Sequence, residues 1–152
     1  MAMNFNILPM QAQHTESIAV IEQECFGKNA WSKESIDYQL TNDCAYFFSA
    51  VSDDGKVSGY GGSHIAVDEC YIDNIAVTSI FRGMGVGKAL TQKLIENARK
   101  KHCAFISLEV RVSNVVAISL YEKFGFVILG RRKNFYSHPT EDALIMTLYF
   151  SK

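Results

Sequence analysis

The sequence predicts an α/β domain with a mixed central sheet of about seven strands and helices on both faces. Three observations predict it. Short apolar runs with strand character alternate with segments whose apolar residues recur at helical spacing. A glycine-rich turn, Arg82-Gly83-Met84-Gly85-Val86-Gly87, marks an abrupt change from the first pattern to the second. Pro9 and Pro139 lie near the ends and leave the centre unbroken.

Asn4 to Met10 reads as a first strand. Thr15 to Phe26 places Ile18, Ile21, Cys25 and Phe26 on a helical stripe, and Gly27 interrupts it. Ser32 is the predicted N-cap of a short helix carrying Ile36 and Leu40. Ala45 to Val51 runs into Ser52-Asp53-Asp54-Gly55, a strong turn signal between strands. Val57 to Val67 and Cys70 to Val77 follow, separated by Asp68-Glu69. Beyond the glycine turn, Val86, Leu90, Leu94 and Ala98 share one helix face, and the basic Arg99 to His102 complements the helix C-terminus. Phe105 to Val110 reads as a buried strand. Ser113 or Asn114 caps a helix with Val116, Ala117, Leu120 and Phe124 on its apolar face, and Gly125 stops it. Val127 to Tyr136 and Ala143 to Phe150 close the chain as two long strands.

A length of 152 residues fits one domain spanning 1–152, long enough to bury a sizeable core. With 48% hydrophobic and 20% charged residues the chain is not mainly disordered. Fifteen basic residues against sixteen acidic give a net charge of -1, so no basic field invites nucleic acid or a membrane surface. The first cation is Lys28, which removes the basic start of a secretory signal, and no apolar run is long enough to span a bilayer. Cys25, Cys44, Cys70 and Cys103 form no paired motif and read as reduced thiols of a cytoplasmic protein. His14, His64, His102 and His138 show no partner pattern, and no metal site is expected. The expected assembly is a monomer or weak homodimer.

Closely spaced glycines let a backbone approach a bulky anion, and the first N–H groups of the following helix favour negative charge. Arg82 adds a positive charge, so a pyrophosphate is a natural ligand. A Walker A loop fails because Arg82 and Ala89 stand where it needs Gly and Ser or Thr. A dinucleotide fingerprint fails because its third glycine would fall on Lys88. A turn without any ligand stays open on the glycines alone.

The string Arg82-x-x-Gly85-x-Gly87, preceded by Asn74-Ile75-Ala76-Val77, resembles motif A of the GNAT N-acetyltransferases. Leu108-Glu109-Val110-Arg111-Val112-Ser113-Asn114, with Ala117 and Leu120-Tyr121-Glu122-Lys123-Phe124-Gly125-Phe126, is similar to motif B of that superfamily. More narrowly the chain resembles the bacterial ribosomal-protein-alanine N-acetyltransferases. The likeness continues through Glu24-Cys25-Phe26, Trp31-Ser32 and Arg132-Lys133-Asn134 to Glu141-Asp142-Ala143 and Met146. Ala30 departs from the proline usual before Trp-Ser, and Phe135 from a common tyrosine; both flank the expected peptide side.

The resemblance implies a GNAT fold splayed between the fourth and fifth strands, acetyl-CoA as co-substrate and a primary amine as acceptor. The acceptor it implies is the N-terminal α-amine of a small-subunit ribosomal protein. A small-molecule amine or a lysine side chain is the alternative, and a non-catalytic acyl-CoA sensor a further one. It also implies that backbone groups of Ile75, Ala76 and Val77 serve the pantetheine arm or the oxyanion. Arg82, Gly83, Met84, Gly85, Val86, Gly87 and Lys88 would hold the pyrophosphate. Asn114, a helix cap by spacing, would also touch the cofactor arm.

Glu109 interrupts an apolar strand; partial burial would raise its pKa toward base duty, while pairing with Arg111 or a lysine would make it structural. The resemblance implies the base. By spacing alone Tyr121 is a core aromatic; the resemblance makes it the acid that protonates the departing sulfur. Trp31, Tyr136 and Asp142 are the candidate acceptor-binding residues, on loops and strand ends that could line a peptide groove.

Overall fold

The computed structural model describes residues 4–151. Seven strands form one sheet: β1 (Phe5–Pro9), β2 (Ala45–Ser52), β3 (Val57–Ala66), β4 (Glu69–Val77), β5 (Phe105–Arg111), β6 (Val127–Tyr136) and β7 (Glu141–Tyr149). Four α-helices complete it: α1 (Thr15–Phe26), α2 (Lys33–Tyr38), α3 (Val86–Lys100) and α4 (Val115–Lys123). The spatial order is β1-β2-β3-β4-β5-β7-β6, and β4 beside β5 is the parallel pair. The mixed sheet is thus as the sequence predicts.

Alternation along β2 divides the core. Phe47 faces a cluster with Ile18, Ile21 and Ile36 of α1 and α2, plus Tyr60 and Ala76. Its neighbour Phe48 faces the opposite cluster, with Leu90, Leu94 and Ala98 of α3 and Ile106 and Met146 of the sheet. Each face therefore carries helices. The predicted α3 stripe of Val86, Leu90, Leu94 and Ala98 is fully buried.

Two local expectations need correction. Helix α2 ends at Tyr38, so Leu40 lies beyond it; Ser32 caps it as expected, accepting from the Ser35 amide. The predicted α4 face is displaced, because Val116 is 80% exposed and Tyr121 is the helix's buried residue. Ala117, Tyr121 and Phe124 form the true inward stripe, at i, i+4 and i+7.

The feature that positions a site is the fork between β4 and β5. They pair only at Glu69↔Phe105, Cys70↔Ile106 and Tyr71↔Ser107. Thereafter β5 stays with β7 as far as Arg111↔Ala143, while β4 stays with β3 as far as Gly59↔Val77. A register shift in the β3–β4 ladder between Gly62 and Ser63 leaves Asp73 without a partner, a β-bulge just past the fork.

Gly62 sits at that bulge, and a Cβ there would lie 2.5 Å from the buried Phe47 ring. Gly62→Ala should destabilise the domain by about 1–3 kcal/mol in denaturant unfolding, the usual cost of overpacking. Unchanged stability would show that the ring has room the structure does not contain.

Candidate active site

The fork opens a cleft of ≈ 640 Å³. Its walls are Tyr71 to Ile75 of β4 and Ser107 to Arg111 of β5, with Asn114 and Tyr121 of the following helix. The other side comes from Asn29 and Trp31 after α1 and from Phe135, Tyr136, His138 and Pro139 around the β6–β7 turn. Of the residues singled out in the sequence, Ile75, Glu109, Asn114, Tyr121, Trp31 and Tyr136 meet here.

Backbone alternation decides which β4 groups face the gap. The Thr78 amide donates to Ser58 O, on the β3 side. A period of two places Ala76 with it and turns Ile75 and Val77 toward the gap. Ala76 is therefore spent on β3 and on the α1–α2 core, which corrects its assignment beside its neighbours. The Val77 carbonyl accepts from Arg82 Nε (3.1 Å) and from Cys25 Sγ (3.5 Å).

The glycine turn continues from β4 into α3. Gly83 (φ 79°) and Gly85 (φ 85°) adopt the left-handed conformation, and a Cβ on either would meet nothing within 4 Å. Their role is backbone shape over an open surface. The first bond into α3 runs from the Ala89 amide to Gly85 O, so the amides of Val86, Gly87 and Lys88 precede the helical ladder. No acidic residue occupies this first turn. An anion is the natural complement of such a terminus.

Arg82 is held by its own contacts. Besides bonding Val77 O, it donates to Cys25 Sγ (3.3 Å) and lies 3.9 Å from Glu24. Glu24 accepts from the Ser79 amide (2.7 Å) and the Thr78 hydroxyl (2.8 Å), which with Arg82 hold its carboxyl below the usual range. The turn is thus tied to α1 from below.

Glu109 lines the cleft with 34% of its side chain exposed. Its nearest cation is Arg132, 3.8 Å away, and not Arg111. Arg111 instead pairs with Glu141 (3.1 Å) and donates to the carbonyls of Ser137 and Pro139. Its guanidinium lies 4.5 Å from the Tyr136 ring centroid. Asn29 donates to the same Ser137 carbonyl (2.7 Å), joining the two loops that wall the acceptor side.

Two phenols line the cleft. Burial pushes Tyr121 up to about 12, with Tyr136 adding to it. Burial, then the charge of Glu109, pushes Tyr136 up to about 12, opposed by Arg111. Both rings hold their protons at neutral pH and act as donors. Asn114 caps α4 through the Ala117 amide (3.2 Å), so its capping role is realised. Asp142 does not line the cleft. Its two oxygens accept from Arg131 Nε (2.7 Å) and the Asn134 amide (2.8 Å), fixing the β6–β7 hairpin.

Several site residues escaped the sequence reading. Glu22, wholly buried, accepts from Tyr60 and from Asn74 (2.8 Å), while the Trp31 amide approaches it at 3.5 Å. Desolvation raises its pKa against those bonds. One signal was present: Glu22 falls on the stripe of Ile18 and Cys25, where a carboxylate demands a partner. His64 does have a partner, Asp73, whose carboxylate lies 2.5 Å from Nδ1.

The acetyltransferase (GNAT) family matches this chain over residues 15–126. A Bacillus subtilis protein provisionally named a ribosomal protein bS18-alanine N-acetyltransferase is 36% identical over 137 residues, 90% of each chain. The ribosomal protein bS18-alanine N-acetyltransferase of Escherichia coli K12 is 38% identical over 110 residues, covering 70% of this chain and 73% of that one. The crystal structure of the Escherichia coli ribosomal-protein-S18-alanine N-acetyltransferase superposes with a TM-score of 0.88 at 30% identity, over 98% of this chain and 96% of its own.

Met84, 45% exposed in the glycine turn, supplies a clean test of anion binding there. Met84→Glu should leave the melting temperature unchanged or raise it, since a carboxylate near a helix N-terminus stabilises. The same charge should weaken coenzyme A binding about tenfold or more by calorimetry, through repulsion of its phosphates. Equal affinity would place the phosphates elsewhere.

Proposed function

This chain belongs to the acetyltransferase (GNAT) family and is an acetyl-CoA-dependent N-acetyltransferase; from that premise we propose that its acceptor is a protein N-terminal α-amine. Small-subunit ribosomal proteins are the substrate class, as the names of its relatives indicate for those proteins. The observation that carries the reading is the convergence of Glu109 and Tyr121 in the cleft opened by β4 and β5, with the glycine turn at the end of β4.

The chemistry assigns each group a task. The glycine-turn amides and the start of α3 hold the diphosphate, and the gap-facing groups of Ile75 and Val77 serve the pantetheine arm. The attacking nitrogen must be neutral, and an N-terminal amine, with pKa about 8, loses its proton more readily than lysine at about 10.4. Glu109 accepts that proton, directly or through one water. The N–C bond forms, the C–S bond breaks, and the gap-facing amides of β4 stabilise the oxyanion between these events. Tyr121 donates to the departing sulfur. Its pKa of about 12 against about 8.5 for a thiol makes full transfer uphill, so the hydrogen bond itself steadies the developing thiolate.

Trp31 and Tyr136 form the walls between which the peptide N-terminus lies, joined by the Asn29–Ser137 bond. Four free thiols, two of them buried, fit a reducing compartment, and we place the enzyme in the cytoplasm. Among the described residues no helix is long and apolar enough to cross a membrane.

Glu109→Gln and Tyr121→Phe should each slow acetylation of a free-amine peptide by roughly 10²–10⁴ while the fold persists. Coenzyme A release from acetyl-CoA, followed with a thiol reagent across a peptide and small-amine panel, checks both roles and acceptor. Turnover of small amines alone would remove the peptide assignment; rates within about twofold of the parent would remove the two residues from their tasks.

A further inference from the structure

We propose that Asp73 is a second carboxylate of the acceptor site, binding the incoming ammonium group opposite Glu109, and that His64 is the residue that keeps it charged and oriented. The proposal deepens the acceptor reading above and rests on it.

The placement comes from the fork. Tyr71↔Ser107 is the last paired position of β4 and β5, and extending that register by two brings Asp73 opposite Glu109. Both line the same cleft. The β-bulge leaves Asp73 out of the β3 ladder, so its orientation is set by side-chain contacts. The carboxylate is bonded on one side by His64, and no other side-chain hydrogen bond to it is present among the described residues. A second oxygen is left for a donor entering the cleft.

The surroundings of His64 define its work. Gln39 Nε2 donates to Ser35 O (3.3 Å), which turns Gln39 Oε1 toward His64 Nε2 at 2.9 Å. Asn42 Nδ2, farther from the ring at 3.3 Å, donates to that same Gln39 oxygen (3.1 Å). With Asp73 Oδ2 on Nδ1 and Gln39 Oε1 on Nε2, the ring is held at both nitrogens and its Nδ1 edge is fixed against Asp73. The titratable groups around Asp73 are His64 and Tyr60 from β3, Cys70 on its own strand and Glu109 from β5, with Tyr60 and Cys70 neutral near pH 7. Burial raises the Asp73 pKa first, the charge and bond of His64 oppose it, and Glu109 raises it further.

The pair answers a chemical need. An amine with pKa about 8 arrives mostly as ammonium near neutral pH, and it must be held before Glu109 can take its proton. One exposed carboxylate facing Arg132 is a weak trap; two carboxylates flanking the fork make a selective one. Placing the nitrogen between them also fixes its approach to the thioester held in the gap.

The test uses full-length parent, Asp73→Asn and His64→Gln, assayed for coenzyme A release with whichever amine of the panel the parent turns over best. Melting temperature reports folding of each variant. Asp73→Asn keeps the size of the side chain and should raise acceptor KM about tenfold with KM for acetyl-CoA unmoved, the loss expected for one charge-assisted hydrogen bond. His64→Gln removes the opposing charge, so Asp73 should hold its proton to higher pH. Acceptor KM in that variant should therefore rise more steeply than in the parent as pH falls, the difference closing as pH rises. A structural role would give a loss independent of pH.

Parent-like acceptor KM in Asp73→Asn, with Glu109→Gln still inactive, overturns the proposal and leaves the proposed function standing. A pH-independent loss in His64→Gln overturns the role of His64. A parent that acetylates small amines but no peptide removes the peptide acceptor, while the Asp73 comparison is read on the small amine.

Discussion

The molecule is organised around an unfinished strand pairing. After Tyr71↔Ser107, β4 and β5 separate, each held to its other neighbour by a continuous antiparallel ladder. A sheet interior does not leave backbone donors and acceptors unpaired without reason, because a buried unmet group costs as much as a lost hydrogen bond. The groups of Ile75 and Val77 that face the fork are therefore either wet or bound by a ligand of extended shape. Val77 O is partly met by Arg82 and Cys25. The same strand then delivers the chain into Gly83, Gly85 and the N-terminus of α3, so an extended ligand in the fork leads directly to an anion-binding turn.

Around this fork the protein spends polar contacts on rigidity. Glu22 gathers Tyr60, Asn74 and the Trp31 backbone under one wall. Glu24 ties the start of the glycine turn to α1. Arg111 and Glu141 fasten the β6–β7 turn to the amide of Ser113, just before the α4 cap. Each contact joins segments distant in sequence, and each leaves the cleft residues Glu109, Tyr121 and Tyr136 uncommitted to strong ion pairs. Preorganised groups of this kind stabilise developing charge without reorganising when it appears.

Much of this was legible in the sequence, and the reason is local. The strand order, the Ser32 cap, the cap at Ser113 or Asn114 (filled by Asn114) and the glycine turn are read within a few residues, and they fall where expected. The α1 bounds and the buried stripe of α3 follow directly. Apart from the end of α2 and the face of α4, what failed depended on pairing across the sheet. Asp142 looked available because its partners, Arg131 and Asn134, lie across a hairpin. Ala76 stood with Ile75 and Val77 because only register separates the two sides of β4. His64 lacked a visible partner because Asp73 reaches it through a bulge that no local pattern announces. The splay itself came from family resemblance, since nothing in the apolar runs of β4 or β5 says where two strands stop pairing.

The central claim is that the fork and the glycine turn together form the seat of acetyl-CoA. Amide hydrogen exchange followed by NMR, with and without saturating coenzyme A, tests it residue by residue. Bound coenzyme A should bring new protection at Ile75, Val77 and the amides from Gly83 to Lys88, with Ala76 protected in both states by its β3 pairing. Saturation that leaves those amides exchanging as in the free protein would contradict it.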